Sequence, residues 1–108
     1  MSESQRDSTL HPLANLDQVI HAPARLMVLA HLYVVESADY IFLMRQTGLT
    51  WGNLATHLNK LEEAGYVEVQ KSFKGKKPHT TLKMTEQGRA AFHTYKKSLK
   101  QVLDDLPD

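Results

Sequence analysis

The chain has 108 residues, no cysteine and a formal net charge of +1. A chain of that length suits one domain and buries roughly 65% of the surface its unfolded form exposes. Without thiols, disulfides, thiolate catalysis and cysteine-type zinc sites are excluded, and a reducing, cytoplasmic setting is expected. Apolar runs stop at five residues, Leu26–Ala30 among them, so no membrane span is expected, and MSESQRDST offers no apolar stretch for a secretory signal.

The near-neutral total hides an uneven distribution. Residues 1–44 carry −3, residues 45–103 carry +7 from eleven Lys/Arg against four acids, and the last five residues carry −3. One basic section in a near-neutral chain points to a localised anionic partner.

Residues 1–9 are polar and without periodicity, and are expected to be disordered, leaving 10–108 as a single domain. Leu10, Leu13, Leu16 and Ile20 recur at helical spacing, a short amphipathic helix that Pro12 could begin. His21-Ala22-Pro23 interrupts it, and Pro23 suits the first turn of a second helix, Ala24–Val35. Its Leu26, Val28, Leu29, Leu32 and Val35 form a broad face assigned to the core. Next, Tyr40-Ile41 is read as a brief extended piece and Phe42–Thr47 as a helix that Gly48 ends.

After a three-residue turn, Thr50–Tyr66 reads TWGNLATHLNKLEEAGY. Thr50 is an N-cap and Gly65 a C-cap, with Leu54, Leu58 and Leu61 as the apolar stripe between them. Gly52, Thr56, Asn59 and Glu63 point the other way, flanked by Asn53 and Lys60. A solvated face usually carries mixed Glu/Lys pairs; this one carries amides and hydroxyls, groups that can read base edges. Two helices joined by a short glycine-containing turn, the second of them (residues 50–64) turned outward, form a helix-turn-helix.

Val67, Val69 and Phe73 suggest a strand, Phe73–Pro78 a turn, and Thr80–Met84 a return strand with Leu82 and Met84 inward. Residues 69–85 contain Lys71, Lys74, Lys76, Lys77, Lys83 and His79 and no acid, so phosphate contact over 71–83 is favoured over a merely solubilising turn. Thr85 caps a last helix, 85–106, on which Phe92, Tyr95, Leu99, Val102 and Leu106 follow a 3-4 rhythm widened by Leu103. The globular body is too short to cover that stripe. A homodimer is therefore expected, with Leu10, Leu13, Leu16 and Ile20 packing beside Phe92–Leu106.

Three segments carry a resemblance: LDQVIHAPARLMVLAHL (16–32), LTWGNLATHLNKLEEAGYVEV (49–69) and KGKKPHTTLKMTEQGRAAF (74–92). From Leu16 onward the chain resembles the small winged helix-turn-helix transcriptional regulators related to the MarR and ArsR groups. The implied fold is mainly α with a small β-hairpin, an α+β winged helix with N- and C-terminal dimerisation helices. The implied function is sequence-specific binding of double-stranded DNA by a homodimer. The resemblance puts Trp51, Gly52, Asn53, Thr56, His57, Asn59 and Lys60 of the reading helix near DNA, with Lys71, Lys74, Lys76, Lys77 and His79 of the wing. Thr56 stands where relatives often carry arginine, and Lys76, Lys77 and His79 where wing arginines are frequent, which removes bidentate donors.

Trp51 and His57 lie between stripe and open face. Trp51 can plug the core or pack on DNA; for His57 a packed or solvent-bonded ring is favoured over a phosphate contact. The histidines His11, His21, His31, His57, His79 and His93 form no recognisable ligand pair, and no metal or cofactor is expected. No phosphate loop or nucleophile elbow points to an enzyme. The competing reading is a winged helix used for protein–protein assembly without DNA; RNA is disfavoured by the lack of an aromatic platform. Any small-molecule effector is left open.

Overall fold

Residues 11–108, the part of the chain that the computed structural model describes, hold five helices and three strands in the order α, α, β, α, α, β, β, α. They are α1 (His11–Ala14), α2 (Pro23–Val35), β1 (Ser37–Asp39), α3 (Tyr40–Thr47), α4 (Trp51–Glu63), β2 (Val67–Lys74), β3 (Lys77–Met84) and α5 (Glu86–Asp105). Leu10 and residues 1–9 lie outside the described residues.

The first helix ends earlier than the Leu10–Ile20 periodicity suggests. Asp17 Oδ1 accepts from the amides of Val19 at 2.9 Å and Ile20 at 3.3 Å, a side-chain turn that competes with the helical ladder. Leu16 and Ile20 still face the core, at 4% and 0% exposure.

The extended piece falls at Ser37–Asp39, three residues before the expected Tyr40-Ile41. Asp39 then caps α3 by accepting from the Phe42 amide at 2.7 Å, so Tyr40 is already helical. Pairing fixes this: β1 lies antiparallel on β3 with Ala38 opposite Leu82. The sheet order is β1-β3-β2.

β2 and β3 continue almost to the tip and leave only Gly75 and Lys76 as the turn, with Gly75 at φ +63°. Pro78 sits inside β3 without harm. It pairs with Phe73, the second pair from the turn, where the missing N–H points away from β2, and β1 reaches only to Thr81.

Val28, Leu29 and Leu32 of α2, Leu43 of α3, Leu54 and Leu61 of α4 and Leu82 of β3 are fully buried together. Val35, expected in that core, is 44% exposed. The start of α5 is tied to the end of α4. Thr85 Oγ1 donates to the Gly65 carbonyl at 2.6 Å, the Thr85 amide donates to the Tyr66 carbonyl at 3.1 Å, and a Cβ on Gly88 would overlap that same carbonyl. Further along α5, Phe92 packs against Tyr33 of α2 in a tilted pair, 4.9 Å between ring centres.

Candidate nucleic-acid interface

The turn between α3 and α4 is built from local signals. Gly48 takes φ +72° and closes α3, and Thr50 Oγ1 accepts from the Asn53 amide at 3.2 Å. At the far end Gly65 takes φ +82°, its amide bonds to Glu62 and the Tyr66 amide reaches back to Leu61. That is the double bond of a Schellman motif with Ala64 as the cap, one residue before the glycine. The stripe Leu54, Leu58, Leu61 is buried at 0%, 4% and 0%, which fixes the rotation of α4.

The opposite face is therefore free. Gly52, Asn53, Thr56, Asn59, Lys60 and Glu63 are exposed. The Thr56 hydroxyl donates to the Gly52 carbonyl at 3.0 Å, so its proton is used within the helix and it offers outward a methyl and an acceptor. Trp51 is 59% exposed, yet its ring lies on Tyr40 at 4.3 Å, and the Tyr40 hydroxyl donates to the Trp51 carbonyl at 2.5 Å. Burial raises the Tyr40 phenol above its ordinary value, so it remains a donor there. Trp51 thus covers the helix-turn-helix edge with one side and leaves the other open.

His57 is half-buried against α2, where Arg25 Nη1 lies 3.3 Å from His57 Nδ1. Burial first, then the charges of Arg25 and Lys60, hold the imidazole below its usual pKa. Arg25 carries no signal in the sequence for this place: it lies in the acidic first section, and its link to α4 spans 32 positions.

On the wing Lys71, Lys74, Lys76 and Lys77 are exposed and His79 is half-buried. Strand alternation sorts them. Lys71 follows Val67 and Val69 on the face toward α4, and lines with Trp51, Ala55, Asn59, Glu62 and Thr80 a groove of about 510 Å³ between helix and wing. Lys74 and Lys77 face away from it and stand directly opposite each other across the strands. Like charges so placed repel, and Lys71 is the wing lysine that shares a groove with the outward helix.

The residues assigned to a subunit contact divide into two groups. Leu16, Ile20, Phe92 and Tyr95 are 0–5% exposed within the chain's own core, which corrects the expectation that they face a second copy. Leu13 is partly buried against the same core, and Val102 is 6% exposed. Leu99 is half-buried, while Leu103 at 55% and Leu106 at 42% remain open. Leu26, Leu99 and Leu103 line an apolar groove of about 400 Å³ along α5. Among the described residues no three His, Asp or Glu side chains are grouped to hold a metal, and no helix is long and apolar enough to cross a membrane.

Residues 24–103, from the first turn of α2 to near the end of α5, match the family described as the winged helix DNA-binding domain. The chain belongs to that family. This winged helix is 38% identical over 89 residues to an uncharacterized protein of Methanocaldococcus jannaschii, covering 82% of this chain and 97% of that one. Among solved structures it is similar to a transcriptional regulator homologue from Pyrococcus horikoshii OT3, with TM-score 0.82 and 28% identity over 92% of this chain and 99% of that chain. It is also similar to the transcriptional repressor CouR bound to a 23-mer DNA duplex, with TM-score 0.71 and 26% identity over 90% of this chain and 66% of the repressor. A MarR-family regulator from Silicibacter pomeroyi shares the fold alone, at TM-score 0.61 and 17% identity over 95% of this chain and 72% of that one. In this winged helix, α4 is the second helix of the helix-turn-helix and β2–β3 the wing.

Proposed function

We propose that the protein is a transcriptional regulator that binds double-stranded DNA sequence-specifically as a homodimer. In this reading α4 enters the major groove and the wing lies on the phosphate backbone and minor groove. The observation that carries it is the juxtaposition of the exposed amide and hydroxyl face of α4 with the basic wing, whose Lys71 lines a common groove with Trp51 and Asn59 and whose tip carries the exposed Lys74, Lys76 and Lys77. Asn53 and Asn59 can pair with adenine, the Thr56 methyl can meet a thymine methyl, and Lys60 suits a phosphate. The similar repressor described as bound to a 23-mer DNA duplex supports duplex DNA as the partner.

Dimerisation is supported by the apolar groove along α5 and by the exposed Leu103 and Leu106. A two-fold pair would set the reading helices about 34 Å apart, on successive major grooves of a pseudo-palindromic site. Selection from a random duplex pool should return such a site. A dimer neutralising ~8 phosphates should give a log–log salt slope near −7. Lys76→Glu with Lys77→Glu should weaken binding to every sequence alike, and an unchanged affinity in a low-salt gel shift would refute the wing's role.

A further inference from the structure

Arg25 occupies the first turn of α2 and spends its donors on neutral acceptors. Nε donates to the Val19 carbonyl at 2.6 Å, Nη2 to the Gln18 carbonyl at 3.3 Å, and Nη1 to His57 Nδ1 at 3.3 Å. Among the described residues no acid forms an ion pair with it; the ion pair found there joins Lys100 to Asp104, far along α5. A guanidinium only donates, so His57 Nδ1 must accept and its proton resides on Nε2. Lys60, one turn on from His57 along α4, lines a hollow with Arg25, Gln18, Val19 and Glu63 at the edge of the reading helix.

The groups facing this hollow are few. From α2 comes Arg25, from α4 come Lys60 and Glu63, and from the loop come Gln18 and Val19, whose carbonyls accept from Arg25; His57 lies beside the hollow, joined to it through Arg25. The nearby Asp17 is occupied by the Tyr66 hydroxyl and by the amides of Val19 and Ile20. Three nitrogen groups against the lone Glu63 make an anion site, and the anion that reaches this edge of a docked reading helix is a backbone phosphate.

We infer that Arg25, His57 and Lys60 form a seat for one phosphodiester of the duplex, and that His57 takes up a proton when the phosphate arrives. The inference rests on the DNA-binding reading above and adds to it a contact from α2 and a coupling to pH. In the free protein the two neighbouring cations and burial favour the neutral ring. A phosphate beside Nε2–H favours the charged ring instead. The proton comes from solvent and lodges on Nδ1, which then ceases to accept from Arg25. That Nη1–H is released to the phosphate, so the seat gains a charge and a donor in one step. The sign follows: the complex binds more protons than the separated partners, so affinity rises as pH falls through the range between the free and bound pKa of His57.

The test is fluorescence anisotropy of a labelled random-sequence duplex between pH 6 and 8, in chloride of constant ionic strength and without inorganic phosphate. The wild-type protein should tighten on acidification by up to about tenfold per pH unit for each His57 more than the His57→Gln variant does. Every other group is common to the two proteins, so only the difference between the curves counts. Arg25→Lys, which keeps the charge but loses the fork, should weaken binding several-fold. By NMR the His57 ring should titrate at higher pH in the complex than in the free protein. Parallel curves for wild type and His57→Gln, or a His57 pKa that does not rise on binding, would overturn the proton coupling while leaving DNA binding intact. A wild-type protein that binds no duplex at low salt would instead overturn the functional reading beneath it.

Discussion

Replacing Lys74 with Glu should make the protein more stable and a weaker DNA binder at once. Lys74 and Lys77 are directly opposite at the wing tip and both are exposed. The substitution turns a repelling cross-strand pair into an attracting one. At such screened positions that change is worth about 0.5–1 kcal/mol. For a domain of this size the midpoint of thermal unfolding should rise by about 2–6 °C, measured by circular dichroism at fixed protein concentration. Binding moves the other way. A dimer loses two phosphate contacts of ~8, so the log–log salt slope should shrink from about −7 to about −5. Opposite signs in the two assays identify a residue held in place for a ligand at the expense of the fold. An unchanged slope would show that the tip touches no phosphate, and a lowered midpoint would show that the two lysines do not repel.

Three other outcomes follow from the packing. Gly88→Ala forces a Cβ into the Tyr66 carbonyl and should lower stability by about 2–3 kcal/mol in urea unfolding, whereas Gly52→Ala meets nothing within 4 Å and should raise it by about 0.5–1 kcal/mol. The Tyr66 phenol is pushed up to about 12 by burial and by its bond to Asp17. Because the folded state holds this proton more tightly than the unfolded one, the stabilisation is complete below pH 10 and fades as pH rises toward 12. The loss should be about 1 kcal/mol at this half-buried site and absent in Tyr66→Phe. Leu103→Glu places a charge in the exposed apolar stripe of α5 and should give a monomer in sedimentation equilibrium without loss of helix content.

Features settled within a few residues were legible before any coordinates. Thr50, Gly48 and Thr85 act where their neighbours demand a cap or a turn, and Leu54, Leu58 and Leu61 recur on one helical face that ends up buried. One miss was local, the early end of α1 ahead of the Asp17 side-chain turn; the larger ones were decided at long range. The strand at Ser37–Asp39 exists because β3, more than forty residues later, pairs with it; the apolar run Tyr40–Met44 carried no trace of that partner. Phe92 and Tyr95 share the periodicity of Leu103, and only the position of α2 decides which of them the chain covers itself. Within the candidate interface the exposed faces were readable from spacing. The Arg25–His57 bond and the Tyr40–Trp51 stack were not, since each joins residues on different elements.

Within α4 the leucines that lock the helix into the body are separate from Asn53, Thr56 and Asn59, which it offers outward, while Trp51 and His57 sit at the boundary and serve both sides. On the proposed reading, Asn53, Thr56 and Asn59 can be rewritten as a cassette, changing which duplex is preferred while the scaffold's melting behaviour barely changes. Specificity would then be free to diverge without the domain first having to regain its stability.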